Sequence, residues 1–179
     1  PLTHTLVYTV EGLLESGLLL QDQVCLDAAR LAADGLRAQQ RPDGGLTGGA
    51  YWSDWTPFKT DQCLTGSAQT SVVWLKLHRL TGDPVYLDAA VRMNRYLVAH
   101  QARSTNPAID GALPGSDPID GYYEPDHYLS WATLFLVQAL QGQAVAGPDR
   151  FEFENDGFAE ARWDRTMAHG AFVLKDGRV

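Results

Sequence analysis

The sequence predicts an all-α fold of antiparallel helical hairpins stacked side by side. The chain repeats itself: Cys25-Leu26-Asp27-Ala28-Ala29 returns as Tyr86-Leu87-Asp88-Ala89-Ala90, sixty-one positions later, and in that register seven of the sixteen positions in 25–40 match 86–101. Each copy is followed by a related loop, Asp43-Gly44-Gly45-Leu46-Thr47-Gly48 and then Asp110-Gly111-Ala112-Leu113-Pro114-Gly115. Apolar residues around both copies recur at three- and four-residue steps. A spacing near sixty, made of two helices and a long loop, is that of stacked hairpins, each burying its apolar face against the next.

The first helix is predicted over residues 4–20, where Leu6, Val10, Leu13, Leu14 and Gly17 share one face. Its partner covers residues 22–40, with Leu26, Ala29, Ala33 and Leu36 on one side. The connection through Gln21-Asp22 is so short that the two must be antiparallel neighbours. A second pair follows over 64–80 and 84–100. The first of these carries Ala68, Val72 and Leu75, with Trp74 and Leu77 on the adjacent row, and the second carries Leu87, Ala90, Asn94 and Leu97. Between them Thr81-Gly82-Asp83-Pro84 places Gly after a helix end and Pro in a first turn. A fifth helix over 128–140 presents Trp131, Leu134, Phe135, Val137 and Leu140. Residues 1–142 thus divide into a repeat over 4–60, a second over 61–127 and the start of a third over 128–142. Residues 143–179 are irregular, with Phe151-Glu152-Phe153-Glu154 alternating like a strand that Ala171-Phe172-Val173-Leu174 could pair with.

A chain of 179 residues with 45% apolar content can fill one good-sized core. Its net charge of -8 opposes nucleic acid and anionic membrane surfaces. The longest apolar run, around Leu18 to Leu20, is far below the roughly 20 residues of a spanning helix, so no membrane partner and a cytoplasmic location are expected. Two cysteines make no disulfide framework, and Cys25 reads as a small buried hydrophobe. No cofactor is expected. The chain begins at Pro1 and holds two and a half hairpins, which reads as a fragment that self-associates or is completed by further hairpins.

The loops are asymmetric. Within a hairpin they are tight; between hairpins they run about twenty residues or more, against a usual length of about four to six. The first long loop holds Tyr51, Trp52, Asp54, Trp55 and Phe58. The second holds Asp110, Asp117, Asp120, Tyr122, Tyr123, Glu124, Asp126 and His127. Because the helices alternate in direction, both loops, together with His4 and Cys63, belong to one rim. Aromatic faces stack on the C–H face of a neutral or weakly charged saccharide, and carboxylates accept from its hydroxyls. Paired carboxylates can also act as acid and base on a glycosidic bond. Trp52, Trp55, Tyr122 and Tyr123 are therefore expected to stack on sugar. Asp54, Asp117, Glu124 and Asp126 supply hydroxyl contacts or the acid and base, and His4 and His127 are alternative proton carriers. Asp43, Asp110 and Asp120 each precede Gly and read as turn residues.

These hairpins, with their long Asp/Gly/aromatic loops and His4-Thr5-Leu6-Val7-Tyr8 at a helix start, resemble the α/α toroids, closest to the six-hairpin glycosidase and sugar-epimerase superfamily. The segments Cys63-Leu64-Thr65-Gly66-Ser67-Ala68-Gln69 and Gly115-Ser116-Asp117-Pro118-Ile119-Asp120-Gly121-Tyr122 resemble a bacterial toroid group. The resemblance spans residues 2–141. It implies that the helices starting near His4, Leu64 and Tyr128 are inner ones whose N-terminal ends line a cavity, adding His4, Tyr8, Glu11, Gln69 and Trp131 to the ligand-binding candidates. The chain departs from the pattern in having too few hairpins to close a ring and in carrying apolar Leu134 at an inner-helix position.

Other functions of such a barrel make their own demands on the sequence. A lanthionine-synthetase-type zinc site needs two cysteines and a histidine, and Cys63 with His127 or His4 supplies only part of it. A terpenoid-cyclase or prenyltransferase site needs an acidic run for magnesium diphosphate, which the chain lacks. A non-catalytic helical-repeat scaffold remains a binding-module alternative.

Overall fold

A computed structural model of the chain describes residues 1–146 and the backbones of two strands, Phe158–Trp163 and Gly170–Leu174. Five helices form the body: α1 Thr3–Leu20, α2 Gln23–Ala38, α3 Leu64–Thr81, α4 Pro84–Ala99 and α5 Ser130–Ala146. The chain is mostly helical, as the periodicity predicts. α1, α3 and α5 form one row with α3 in the middle; α2 packs on α1 and α3, and α4 packs on α3 and α5.

Local chemistry sets the helix ends. Gln21 adopts the left-handed conformation after α1 (φ 55°), and the Asp22 carboxylate accepts from the Val24 and Cys25 amides at the start of α2. Gly82 closes α3 in the same conformation, and Asp83 caps α4 with Pro84 behind it.

The core lies where the two layers meet. Ala29, Ala33 and Leu36 of α2, and Tyr86, Ala89, Ala90, Met93 and Leu97 of α4, are buried there. α3 is buried on every side from Leu64 to Leu75. Its polar residues are tied across the layers. The Trp74 indole donates to the Ala33 carbonyl at 3.1 Å, and Ser71 donates to Asn94, which in turn donates to Gln143 and the Ala139 carbonyl.

Several expectations are corrected. Val7, absent from the predicted α1 face, is fully buried, while Leu6 and Leu13 pack at the edge of the core. On α5 the buried residues are Ala132, Leu136 and Ala139, whereas Trp131, Leu134 and Val137 are exposed. The small alanines let α5 approach α3, and the larger side chains remain outside. Cys25 is half-buried, and Cys63 is the buried cysteine. Gly170–Leu174 pairs with Phe158–Trp163; Phe151–Glu154, read from the sequence as a strand, lies outside the described residues.

The long loops carry short strands: β1 Ala50–Tyr51, β2 Pro57–Lys59, β3 Gln62–Cys63 and β4 Ser116–Asp117, with β1 pairing β2 and β3 pairing β4, both antiparallel. Numbering the C-terminal pair last, Phe158–Trp163 is β5 and Gly170–Leu174 is β6. The sequence repeat reappears atom by atom. Gln40 Nε2 donates to the Gly44 carbonyl and Gln101 Nε2 to the Gly111 carbonyl, and both glycines have positive φ, 99° and 76°. Each loop then returns to the start of its own hairpin: Thr3 N donates to Gly49 O, and Leu64 N to Gly115 O.

Candidate functional site

The starts of α1 and α3 touch because residue 66 is glycine. A Cβ there would lie 2.8 Å from the Thr3 backbone carbon. This approach sets the His4 ring beside Gln69, one turn along α3, with His4 Nδ1 2.5 Å from Gln69 Oε1. On α1, His4, Tyr8, Glu11 and Glu15 follow helical spacing and so share a face. The His4 ring centroid lies 4.7 Å from Tyr8, 5.3 Å from Tyr123 and 6.3 Å from Phe135 of α5. The Trp131 indole donates to the Tyr123 hydroxyl at 3.1 Å. Farther along, Lys76 donates to Glu11 at 2.7 Å and to Glu15 at 2.6 Å. Burial opposes the Lys76 ammonium, but its two carboxylate partners outweigh that and push its pKa up. Burial likewise pushes the Tyr123 phenol up.

Beneath these rings the floor is polar. Gln69 is fully buried and its Nε2 has no hydrogen-bond partner; Thr65 Oγ1, on the same face one turn earlier, also has none. An unpaired buried amide costs on the order of 1–3 kcal/mol, and Gln69 faces the ring cluster with its other atom already engaged. Tyr8 (52% exposed) and Trp131 (42%) keep open ring surface beside it.

The remaining loop residues fall into two further groups. Trp52 is 61% exposed and stacks on Phe58 at 4.7 Å, and the Lys59 ammonium sits 4.2 Å over the Tyr122 ring, whose own amide donates to Asp61. Trp55 differs from Trp52. It is half-buried with positive φ, its indole covers Gly35 of α2, and it packs 5.8 Å from the Tyr51 ring. Asp54 accepts from the Thr56 amide, a turn contact that holds its carboxyl below the usual carboxylate range. Glu124, Asp126 and His127 are exposed, the first two with positive φ, and His127 Nδ1 donates to the Pro125 carbonyl.

Asp117 belongs to a third group. In β4 neighbouring side chains point to opposite sides: Ser116 bonds the Tyr123 backbone, while Asp117 accepts from the Tyr96 hydroxyl at 2.6 Å and lies 3.1 Å from His100 Nε2. His100 Nδ1 donates to the Tyr96 carbonyl, and the Arg41 guanidinium lies over the Tyr96 ring while pairing with Asp43. Burial, then the Asp117 bond, pushes the Tyr96 phenol far up.

The structure therefore brings together His4, Tyr8, Gln69, Tyr123 and Trp131, with Glu11 two turns away. It sets Trp52 against Phe58, Tyr122 against Lys59, and Asp117 against α4. Lys76, Glu15, Lys59, Asp61, Arg41, Tyr96 and His100 were missed. Each makes contacts twenty or more positions away in the chain or depends on another element's face; only the i, i+4 spacing of Glu15 from Glu11 could have pointed to one of them.

Among the described residues no three or more His, Cys, Asp or Glu side chains are arranged to hold a metal, and no helix is long and apolar enough to cross a membrane. At the start of α3, burial pushes the Cys63 thiol up to about 11, which keeps it protonated near neutrality. Comparison of the chain with protein-family models, with curated proteins and with solved structures gives no match.

Proposed function

We propose that the hairpins are an arc of an α/α toroid and that the shared face of α1, α3 and α5 binds a neutral saccharide. The observation that carries this is the ring cluster of His4, Tyr8, Tyr123 and Phe135 around the unpartnered amide of Gln69. The open faces of Tyr8 and Trp131 offer stacking surface to sugar C–H groups, and Glu11 offers an acceptor to hydroxyls. The exposed rings of Trp52 and Tyr122 offer further stacking surface on the two loops. If the bound sugar is hydrolysed or epimerised, His4 is the proton carrier best placed for it. Asp54 is engaged in a turn, Asp117 is held by Tyr96 and His100, and Asp126 and His127 stand out on the loop.

The test is tryptophan fluorescence during titration with neutral mono- and disaccharides. Trp131→Ala and Tyr8→Ala should weaken binding about ten-fold or more with little change in melting temperature. A panel that leaves the fluorescence of a folded protein unchanged would remove the saccharide reading. A second reading, a helical-repeat scaffold, draws on Leu134 and Val137, which stand exposed on α5. Light scattering that shows concentration-dependent association, abolished by Leu134→Lys, would favour it.

A further inference from the structure

His4 has two ring nitrogens with different surroundings. Nδ1 faces Gln69 Oε1, an acceptor, at 2.5 Å. A contact between two acceptors would be repulsive, so Nδ1 carries the hydrogen, and in the neutral ring Nε2 is then the lone-pair nitrogen. Among the described residues Nε2 makes no hydrogen bond, and it is not among the sealed, unpaired atoms of the core. The Gln69 amide is held in place by full burial on α3, and His4 by the Gly66 approach and the rings of Tyr8, Tyr123 and Phe135. Among the described residues nothing else bonds Nδ1. Lys76 is occupied by Glu11 and Glu15, and Trp131 donates to Tyr123.

We infer that Gln69 is a positioning residue: its amide oxygen fixes His4 in the Nδ1–H tautomer, so that Nε2 is the nitrogen offered to a ligand hydroxyl. This rests on the saccharide reading for the ligand's chemistry, but not for the tautomer. The site therefore takes a ligand that presents a hydroxyl to His4. A ligand bearing only acceptors, such as an ether or ester, leaves His4 Nε2 unmatched.

Nitrogen-15 NMR of histidine-labelled protein at mildly alkaline pH reads the tautomer directly, with no sugar present. The expected His4 pattern is a protonated Nδ1 and a bare Nε2. Gln69→Glu, which keeps an acceptor oxygen, should retain it, and Gln69→Leu should invert it toward Nε2–H. A wild-type spectrum showing Nε2–H overturns the inference, as does a folded Gln69→Leu protein that keeps the wild-type pattern. The wild-type spectrum decides the matter even where Gln69→Leu does not fold. Cellobiose and lactose serve as ligand probes. Whichever of them quenches tryptophan should shift Nε2 and leave Nδ1 in place, and should bind Gln69→Leu about ten-fold more weakly. Quenching without an Nε2 shift overturns the ligand half. Failure of every sugar to quench overturns the saccharide reading and leaves the tautomer result standing.

Discussion

The Tyr96 hydroxyl donates to Asp117 Oδ2 at 2.6 Å, and that bond commits Asp117 to α4. His100 reaches the same oxygen from one turn further along the helix. A carboxylate flanked by a phenol and an imidazole holds the second loop onto the end of the second hairpin, while its strand neighbour Ser116 secures the Tyr123 backbone on the other side.

Tyr96→Phe should therefore cost about 0.5–1.5 kcal/mol in urea melts, the usual worth of one buried hydrogen bond. Asp117→Ala should cost more, about 1–3 kcal/mol, because it strands the Tyr96 hydroxyl. Neither should change the tryptophan response to a sugar. A large loss of sugar binding with unchanged stability would return Asp117 to the ligand site.

The two tryptophans of the first loop should part company. Trp55→Ala removes an indole packed on Gly35 and Tyr51 and should destabilise by about 2–3 kcal/mol, below the range for a fully buried tryptophan. Trp52→Ala, which loses only its stacking on Phe58, should stay within about 0.5–1 kcal/mol. Thermal melts that rank the two variants the other way would contradict the packing described for this loop.

The hairpin architecture was legible because its signals are local. The three-to-four periodicity, the two-residue turn at Gln21-Asp22 and the Gly82-Asp83-Pro84 stop each act within one or two turns of chain. The inward face of α5 was not. That helix is apolar nearly all round, and periodicity cannot tell which apolar stripe faces α3; steric closeness chose Ala132 and Ala139 over Trp131 and Val137. The site was legible in part. His4, Tyr8, Gln69, Tyr123 and Trp131 do meet, while Asp117 and Trp55 are turned away by partners that no short-range pattern announces, Tyr96 and Gly35.

Acid should weaken the turn after α2. The Arg41 hydrogen bond, aided by the Gly45 amide, holds the Asp43 carboxyl below the usual carboxylate range. A depressed folded pKa contributes stability that is fully present above the unfolded value, about 3.9, and is lost as pH falls through the folded one. The carboxylate is half exposed, so screening limits the effect to about 0.5 kcal/mol or less. Asp43→Asn should show a correspondingly flatter loss of stability between neutral pH and pH 3. A variant as acid-sensitive as the parent would show that the pair contributes nothing.

Ala29 and Ala90 occupy matching positions in the two copies and are both fully buried. Enlarging either to Leu should overpack the interface between layers and cost about 1–3 kcal/mol. Denaturant midpoints unchanged in both variants would remove the packing basis of the duplication.

The burial of α3 on every side has a consequence for how modular this molecule is. The sequence reads as a string of interchangeable units, yet the first helix of the second unit contributes to the packing of every other helix around it. Detaching α1 would strip His4 from Gln69, and detaching α5 would strip Ala139 and Gln143 from Asn94, the partner of Ser71, so neither flank can open without loosening the centre. Amide exchange should report one cooperative transition spanning α1 to α5, with α3 the last to exchange. Duplication supplied the parts, but the unit of stability is the assembly.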